Sequence, residues 1–223
     1  MSINIKIRSC YDDLTEKPTS NTKKLPIYKC VLLGDSKSGK TKFFYRFKTK
    51  RFIEDDDRTM KPLHPNEIQY CSRDFSIGDF EGRIQLWDTL GIENSASLSK
   101  QYLRQSKGVL LIYDTTNDHS GEGLKKWYRT ATEHIEKGEC LYFVIGTKTD
   151  REGDKSVSLQ AMKDRLEYAN ITEYFEVSTR TGDEFDESLG RIIERVLMKL
   201  EGVLEDESQN PSGRGEETKR KCC

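Results

Sequence analysis

Residues 28–41 read YKCVLLGDSKSGKT, and the reading of the chain starts there. YKCVLLG (28–34) is a short, almost continuous apolar run, the pattern of a strand buried on both faces. It stops at Gly34. GDSKSGKT (34–41) then fits the spacing G-x-x-x-x-G-K-[ST], and Lys40–Phe47 has helical spacing. A strand, a glycine-rich turn and a helix in this order form a cradle for phosphate groups. Glycines let the backbone pass close to an anion. Successive N–H groups from Gly34, Asp35, Ser36, Lys37, Ser38 and Gly39 turn inward, and the helix adds its positive end. Lys40 reaches terminal phosphates, and the Thr41 hydroxyl suits Mg²⁺.

Outward from this loop, apolar runs alternate with helical patterns. IQYCSRDFSI (68–77) and RIQLWD (83–88) read as strands joined through Gly78–Gly82 in a hairpin. GVLLIYD (108–114), LYFVIGT (141–147) and YFEVS (174–178) read as further strands. Gly123–Glu136 and Leu159–Tyr168 read as helices. Phe185, Leu189, Ile192, Ile193, Val196, Leu197 and Leu200 recur at i+3/i+4 spacing and predict an amphipathic helix over 185–200. Six strands alternating with helices imply an α/β fold, a mostly parallel sheet flanked by helices on both faces. Ligands of such sheets bind beyond the C-terminal strand ends.

The 223 residues suit one domain with tails. Residues 1–26 are polar and are expected to be a disordered arm, in which the alternation of Ile3, Ile5 and Ile7 allows a short strand. Residues 27–203 form the expected domain, and 204–223 a flexible tail. Charged and hydrophobic residues each make up 34 %, with a net charge of −1. That balance gives no drive toward nucleic acid. No apolar run is long enough to span a bilayer, and MSINIKIRSC is not a secretory leader. Of the six cysteines, Cys30 and Cys140 lie in apolar runs and read as buried, reduced thiols. No C-x-x-C pair supports zinc or thioredoxin-like chemistry. His64, His119 and His134 are scattered and suggest no catalysis.

Two more segments bear on chemistry. RIQLWD ends on Asp88, followed by Thr-Leu-Gly. A strand-end Asp alone is most often a cap, but beside Gly34–Thr41 it can hold Mg²⁺ opposite Thr41. GTKTD (146–150) follows the strand LYFVIG. The Asp150 carboxylate can accept the ring N–H and the amino hydrogens of guanine, a donor pair that adenine lacks. The Lys148 stem can cover the base, with Thr147 beside it.

GDSKSGKT, WDTLG, TKTD and STR (178–180) together resemble the Ras superfamily of small GTPases, over about residues 27–200. RIQLWDTLG, YDTTNDHSGEGLKKW and the final CC resemble its Rab family, while the Thr of TKTD is the Rho family's form. The resemblance implies a P-loop NTPase fold binding GTP or GDP with Mg²⁺. It implies that Thr59 joins Thr41 and Asp88 at the metal, that Gly91 meets the γ-phosphate, that Phe52 stacks on guanine, and that Ser178, Thr179 and Arg180 form the loop capping the base. Lipidation would fall on Cys222 and Cys223, whose KRKCC ending resembles a double geranylgeranylation site. Two chains give stable anchoring, helped by Lys219, Arg220 and Lys221 at an anionic leaflet.

The sequence departs from the family in three places. Ile92 stands where a water-positioning Gln is usual, and Ile has no hydrogen-bonding group, so slow hydrolysis is expected. After Thr59 the chain reads MKPLHPNEIQ, and Pro62 and Pro65 disfavour strand pairing. Lys37 replaces a common glycine and either adds charge near the β-phosphate or faces solvent. The expected role is a monomeric, membrane-anchored GTP/GDP switch in vesicle trafficking. It would lie on the cytoplasmic face of an intracellular membrane with a cytosolic pool, and it would be served by an exchange factor, an activating protein, an escort or dissociation-inhibitor protein and a prenyltransferase. The alternative is a GTP-binding tether that barely hydrolyses. A metabolic P-loop kinase is disfavoured by Asp150 and the CC ending.

Overall fold

A computed structural model describes residues 5–11, 25–54, 69–89 and 100–200. In chain order its elements are β1 (Ile5–Tyr11), β2 (Ile27–Leu33), α1 (Lys40–Thr49), β3 (Gln69–Ile77), β4 (Phe80–Asp88), α2 (Lys100–Leu103), β5 (Gly108–Asp114), α3 (Asp118–His134), β6 (Leu141–Thr147), α4 (Leu159–Arg165), β7 (Glu173–Glu176) and α5 (Phe185–Leu200). The strands form one sheet in the order β1-β3-β4-β2-β5-β6-β7. Pairings β2–β4, β2–β5, β5–β6 and β6–β7 are parallel, and β3–β4 is antiparallel across the tight turn at Gly78–Asp79.

The sheet has seven strands, where six were expected. The additional one is β1, which pairs antiparallel with β3 from Ile5↔Ile77 to Tyr11↔Ser72, with an irregularity between Ile7 and Cys10. Residues 5–11 of the supposed arm are therefore sheet. Their pairing partner lies more than sixty residues away, which a short local alternation does not reveal.

Strand alternation sends Cys30, Leu32, Leu110, Ile112, Phe143 and Ile145 to one face, where Phe43 and Phe47 of α1 and Ile192, Ile193 and Val196 of α5 cover them. Val31, Leu33, Val109, Leu111 and Val144 point to the other face, against Leu124 and Trp127 of α3 and Met162 of α4. Each of these fully buried side chains contributes roughly 1.5–3 kcal/mol relative to exposure. The double cover explains why β5 and β6 are buried along their whole length. It also places every parallel strand end on one edge of the sheet.

Cys30 and Cys140 are free, buried thiols. Burial pushes the Cys30 thiol up to about 12, so it behaves as a small apolar side chain. Cys71 on β3 is disulfide-bonded. No helix among the described residues is long and apolar enough to cross a membrane.

Candidate functional site

The phosphate loop joins β2 to α1, and its backbone is bent as the motif requires. Gly39 has φ 104°, and a Cβ there would lie 2.7 Å from Thr147 Oγ1. Lys37 takes φ 64°, a left-handed conformation in which a lysine is strained. The Lys40 ammonium is buried and donates to Gly34 O at 2.9 Å and Asp35 O at 2.8 Å. The same positive charge, fixed within the loop, faces whatever anion the loop holds.

Helix α3 grips the loop from outside. Trp127 Nε1 donates to Asp35 Oδ1 at 2.7 Å. The approach is so close that a Cβ on Gly123 would meet Asp35 Oδ2 at 2.0 Å. Asp35 thus serves the loop through its backbone, while its carboxylate is turned toward α3. Sequence reasoning placed Asp35 in the loop but missed both α3 residues, because Trp127 at helical spacing reads as core.

Asp88 ends β4 and is 1 % exposed. The parallel register Val31↔Trp87 brings the end of β4 level with the loop that leaves β2. Thr89 fixes that level by donating from Oγ1 to Leu32 O at 2.9 Å. The nearby donors are hard oxygens: the Thr41 hydroxyl at the start of α1 and the Asp88 carboxylate. They suit Mg²⁺, which usually takes one or two protein ligands and fills its shell with phosphate oxygens and water. No group of three or more His, Cys, Asp or Glu side chains that could hold a metal ion exists among the described residues.

The GTKTD loop sits beside the phosphate loop. Thr147 Oγ1 donates to Ser38 O at 2.7 Å, so this hydroxyl is committed to the phosphate loop rather than to a base. Lys148 has φ 66°. Its Nζ bonds Asp114 Oδ2 at 2.6 Å and Lys37 O at 3.1 Å. Burial alone would raise the Asp114 carboxyl, but hydrogen bonds from Lys148 and Thr116 outweigh it and hold it below the usual carboxylate range. Asp150 is exposed, and its Oδ1 accepts from Ser178 Oγ at 2.7 Å. Ser178 Oγ in turn accepts from the amides of Arg180 and Thr181, which shapes the STR loop. Phe52 faces this loop, with the Arg180 guanidinium 5.9 Å from its ring.

The structure therefore brings together the loop residues 34–41, Asp88, Thr147, Lys148, Asp150, Ser178, Thr179, Arg180 and Phe52 at one edge of the sheet. Thr59, Gly91, Ile92, Cys222 and Cys223 lie outside the described residues. Asp114, Trp127 and Gly123 are contributions the sequence reading did not name.

Residues 29–198 match the model of the Ras family. The chain belongs to the Ras family. Among curated proteins it is 32 % identical over 202 residues to "Ras-related protein Rab-2B" of Dictyostelium discoideum, covering 87 % of this chain and 96 % of that one. It is 29 % identical over 178 residues to "Ras-related protein rab-39" of Caenorhabditis elegans, covering 78 % and 75 %. It is 29 % identical over 227 residues to "Ras-related protein SEC4" of Candida albicans, covering 94 % and 100 %. Within the Ras family the chain is thus a Rab-like small GTPase, and the mixed, mostly parallel sheet with helices on both faces is the α/β fold expected of one.

Proposed function

We propose that this chain is a guanine-nucleotide switch of vesicle trafficking that hydrolyses GTP slowly unless an activating protein assists. The observation carrying the nucleotide reading is the convergence of Lys40, Lys148 and Asp150. The first two are tied to the phosphate-loop backbone, and Asp150 is braced by Ser178. A polyphosphate would lie along the loop amides and Lys40. Asp150 would accept the paired N–H groups of guanine. Mg²⁺, held by Thr41, Asp88 and, by resemblance, Thr59, would neutralise phosphate charge.

The γ-phosphate would order the segments bearing Thr59 and Gly91, and its loss would release them. Tyr70 is 41 % exposed and stacks on Trp87, ring centroids 5.1 Å apart, with Lys29 Nζ 4.3 Å from the Trp87 ring. This aromatic surface on β3 and β4 would be read by a partner of the GTP-bound form. Ile92 cannot orient the attacking water, so intrinsic hydrolysis is slow. The same residue supports a second reading, a GTP-holding tether that stays active for long periods. Geranylgeranyl groups on Cys222 and Cys223 would hold the protein on the cytoplasmic face of an intracellular membrane, with a cytosolic pool held by an escort protein.

Competition among GTP, GDP and ATP in the presence of Mg²⁺ tests the nucleotide reading. Preference for ATP, or no binding, overturns it. Single-turnover hydrolysis by wild type and Ile92→Gln tests the slow switch: the variant should be faster, and equal rates refute the role assigned to Ile92.

A further inference from the structure

Helix α1 leaves the phosphate loop carrying two cations one turn apart, Lys42 and Arg46. A spacing of four residues puts them on one helical face, yet their side chains go to different parts of the base site. Lys42 Nζ donates to Ile53 O and lies 5.1 Å from the centre of the Phe52 ring. Arg46 goes to the STR loop. Its Nη1 donates to Thr179 O at 3.5 Å and Arg180 O at 3.4 Å, and its Nη2 to Thr181 O at 3.3 Å. The guanidinium sits so near the loop that a Cβ on Gly182 would meet Nη2 at 1.9 Å.

The two segments these cations hold also touch each other. Arg180 faces the Phe52 ring, and its Nη2 is 3.9 Å from Glu54 Oε1. Phe52, Glu54 and Arg180 therefore form a clasp between the two segments, and Ser178 of the STR loop donates to Asp150. Both sides of the clasp are anchored to the helix that begins at the phosphate loop. Neither cation is needed to contact a nucleotide.

We propose that Lys42 and Arg46 are positioning residues that clamp the two walls of the base pocket to α1 and thereby set the rate of nucleotide release. The inference rests on the guanine-nucleotide reading above and adds a kinetic control to it. A fork that holds three successive carbonyls fixes a loop in a way a single ammonium cannot. The Lys42 ammonium is half-buried against one carbonyl and one ring, which restrains the opposite segment. Loosening either wall opens the pocket after binding, so the effect falls on dissociation rather than association.

Release of a fluorescent GDP analogue from the full chain, with Mg²⁺, provides the test. Lys42→Met and Arg46→Gln should each speed release about tenfold and leave the association rate within about twofold. Arg46→Lys should recover part of the loss, because one ammonium nitrogen cannot reach all three carbonyls that the two guanidinium nitrogens hold. The double variant should depart from the product of the two effects, because the Phe52–Arg180 and Glu54–Arg180 contacts couple the two walls. A merely structural role predicts a smaller binding-competent fraction with an unchanged release rate, and that result overturns the proposal. So does release at the wild-type rate from the folded variants. If wild type itself binds neither GDP nor GTP, the nucleotide reading falls and the clamp falls with it. If wild type binds normally and only the variants fail to respond, the clamp alone is wrong.

Discussion

Trp127 on α3 donates its indole N–H to Asp35 in the phosphate loop at 2.7 Å, across 92 positions of sequence. A carboxylate in a phosphate-binding loop is an electrostatic liability. Here it is turned to the outer side and satisfied by a neutral donor, so the loop keeps its inward amides without presenting an anion to the ligand. Trp127→Phe keeps the packing and removes the donor. The unsatisfied, partly buried carboxylate should cost about 1–3 kcal/mol, expressed as a GDP affinity lower by roughly ten- to a hundredfold. Gly123→Ala should act similarly by driving Asp35 inward. Equilibrium titration with a fluorescent nucleotide reads both, and unchanged affinity in Trp127→Phe rejects the argument.

Gly39 should tolerate no side chain. Its φ of 104° and the 2.7 Å approach of Thr147 Oγ1 to any Cβ act together. Gly39→Ala must either shift the phosphate loop or break the Thr147–Ser38 bond that joins it to the base loop. Nucleotide binding should fall by at least a hundredfold while the circular dichroism spectrum is kept. Near-normal binding would show that the loop is softer than its geometry indicates.

Lys37 offers a change in the opposite direction. A lysine at φ 64° pays a left-handed penalty of roughly 1–2 kcal/mol that glycine avoids. Lys37→Gly also enlarges the freedom of the unfolded chain, which offsets part of the gain. A net stabilisation near 1 kcal/mol corresponds to a Tm increase of about 2–4 °C for a domain of this size. Differential scanning calorimetry without nucleotide checks it, and a lower Tm would mean that the lysine side chain supports the loop.

The contrast between legible and hidden features follows from range. β5, β6 and α5 begin and end at the residues their apolar patterns predict, because continuous burial or an uninterrupted 3.6 period marks them locally. α3 begins at Asp118 rather than Gly123. Its first turn, DHSG, carries no apolar side chain, and only the Asn117 cap, which accepts from His119 N, signals the start. β1 and the short α2 carry no comparable pattern. In the site, GDSKSGKT and TKTD are recognisable because loop chemistry is local. The contacts of Trp127 with Asp35, Arg46 with residues 179–181 and Lys148 with Asp114 are set by tertiary placement, and side-chain type alone does not disclose them.

The Lys148–Asp114 pair predicts an acid-side weakness. Asp114 is held below its ordinary value in the folded chain, so the folded state binds its proton less readily than the unfolded state does. Stability from this group is complete above the unfolded value of 3.8 and is lost as pH falls through the lower folded value. Asp114→Asn removes that titration. Urea midpoints measured from pH 6 down to pH 3 should fall less steeply in the variant than in wild type. Parallel curves would show that the pair contributes nothing to the acid response.

Asp150 makes the most discriminating prediction about the ligand. Its carboxylate accepts only, and guanine offers adjacent N–H donors at the ring and the amino group. Asp150→Asn keeps an oxygen that can accept from Ser178 Oγ, so the STR loop has no reason to collapse. It substitutes a donor for one acceptor, however. Guanine then meets donor against donor, while xanthine, with a carbonyl in place of the amino group, finds a matched pair. The variant should lose at least a hundredfold in GDP affinity and gain in xanthosine diphosphate affinity, since a mismatched hydrogen bond in a closed site leaves polar groups unpaired. Loss of both ligands together would mean that Asp150 supports the fold of the pocket, and retention of GDP would place the base elsewhere.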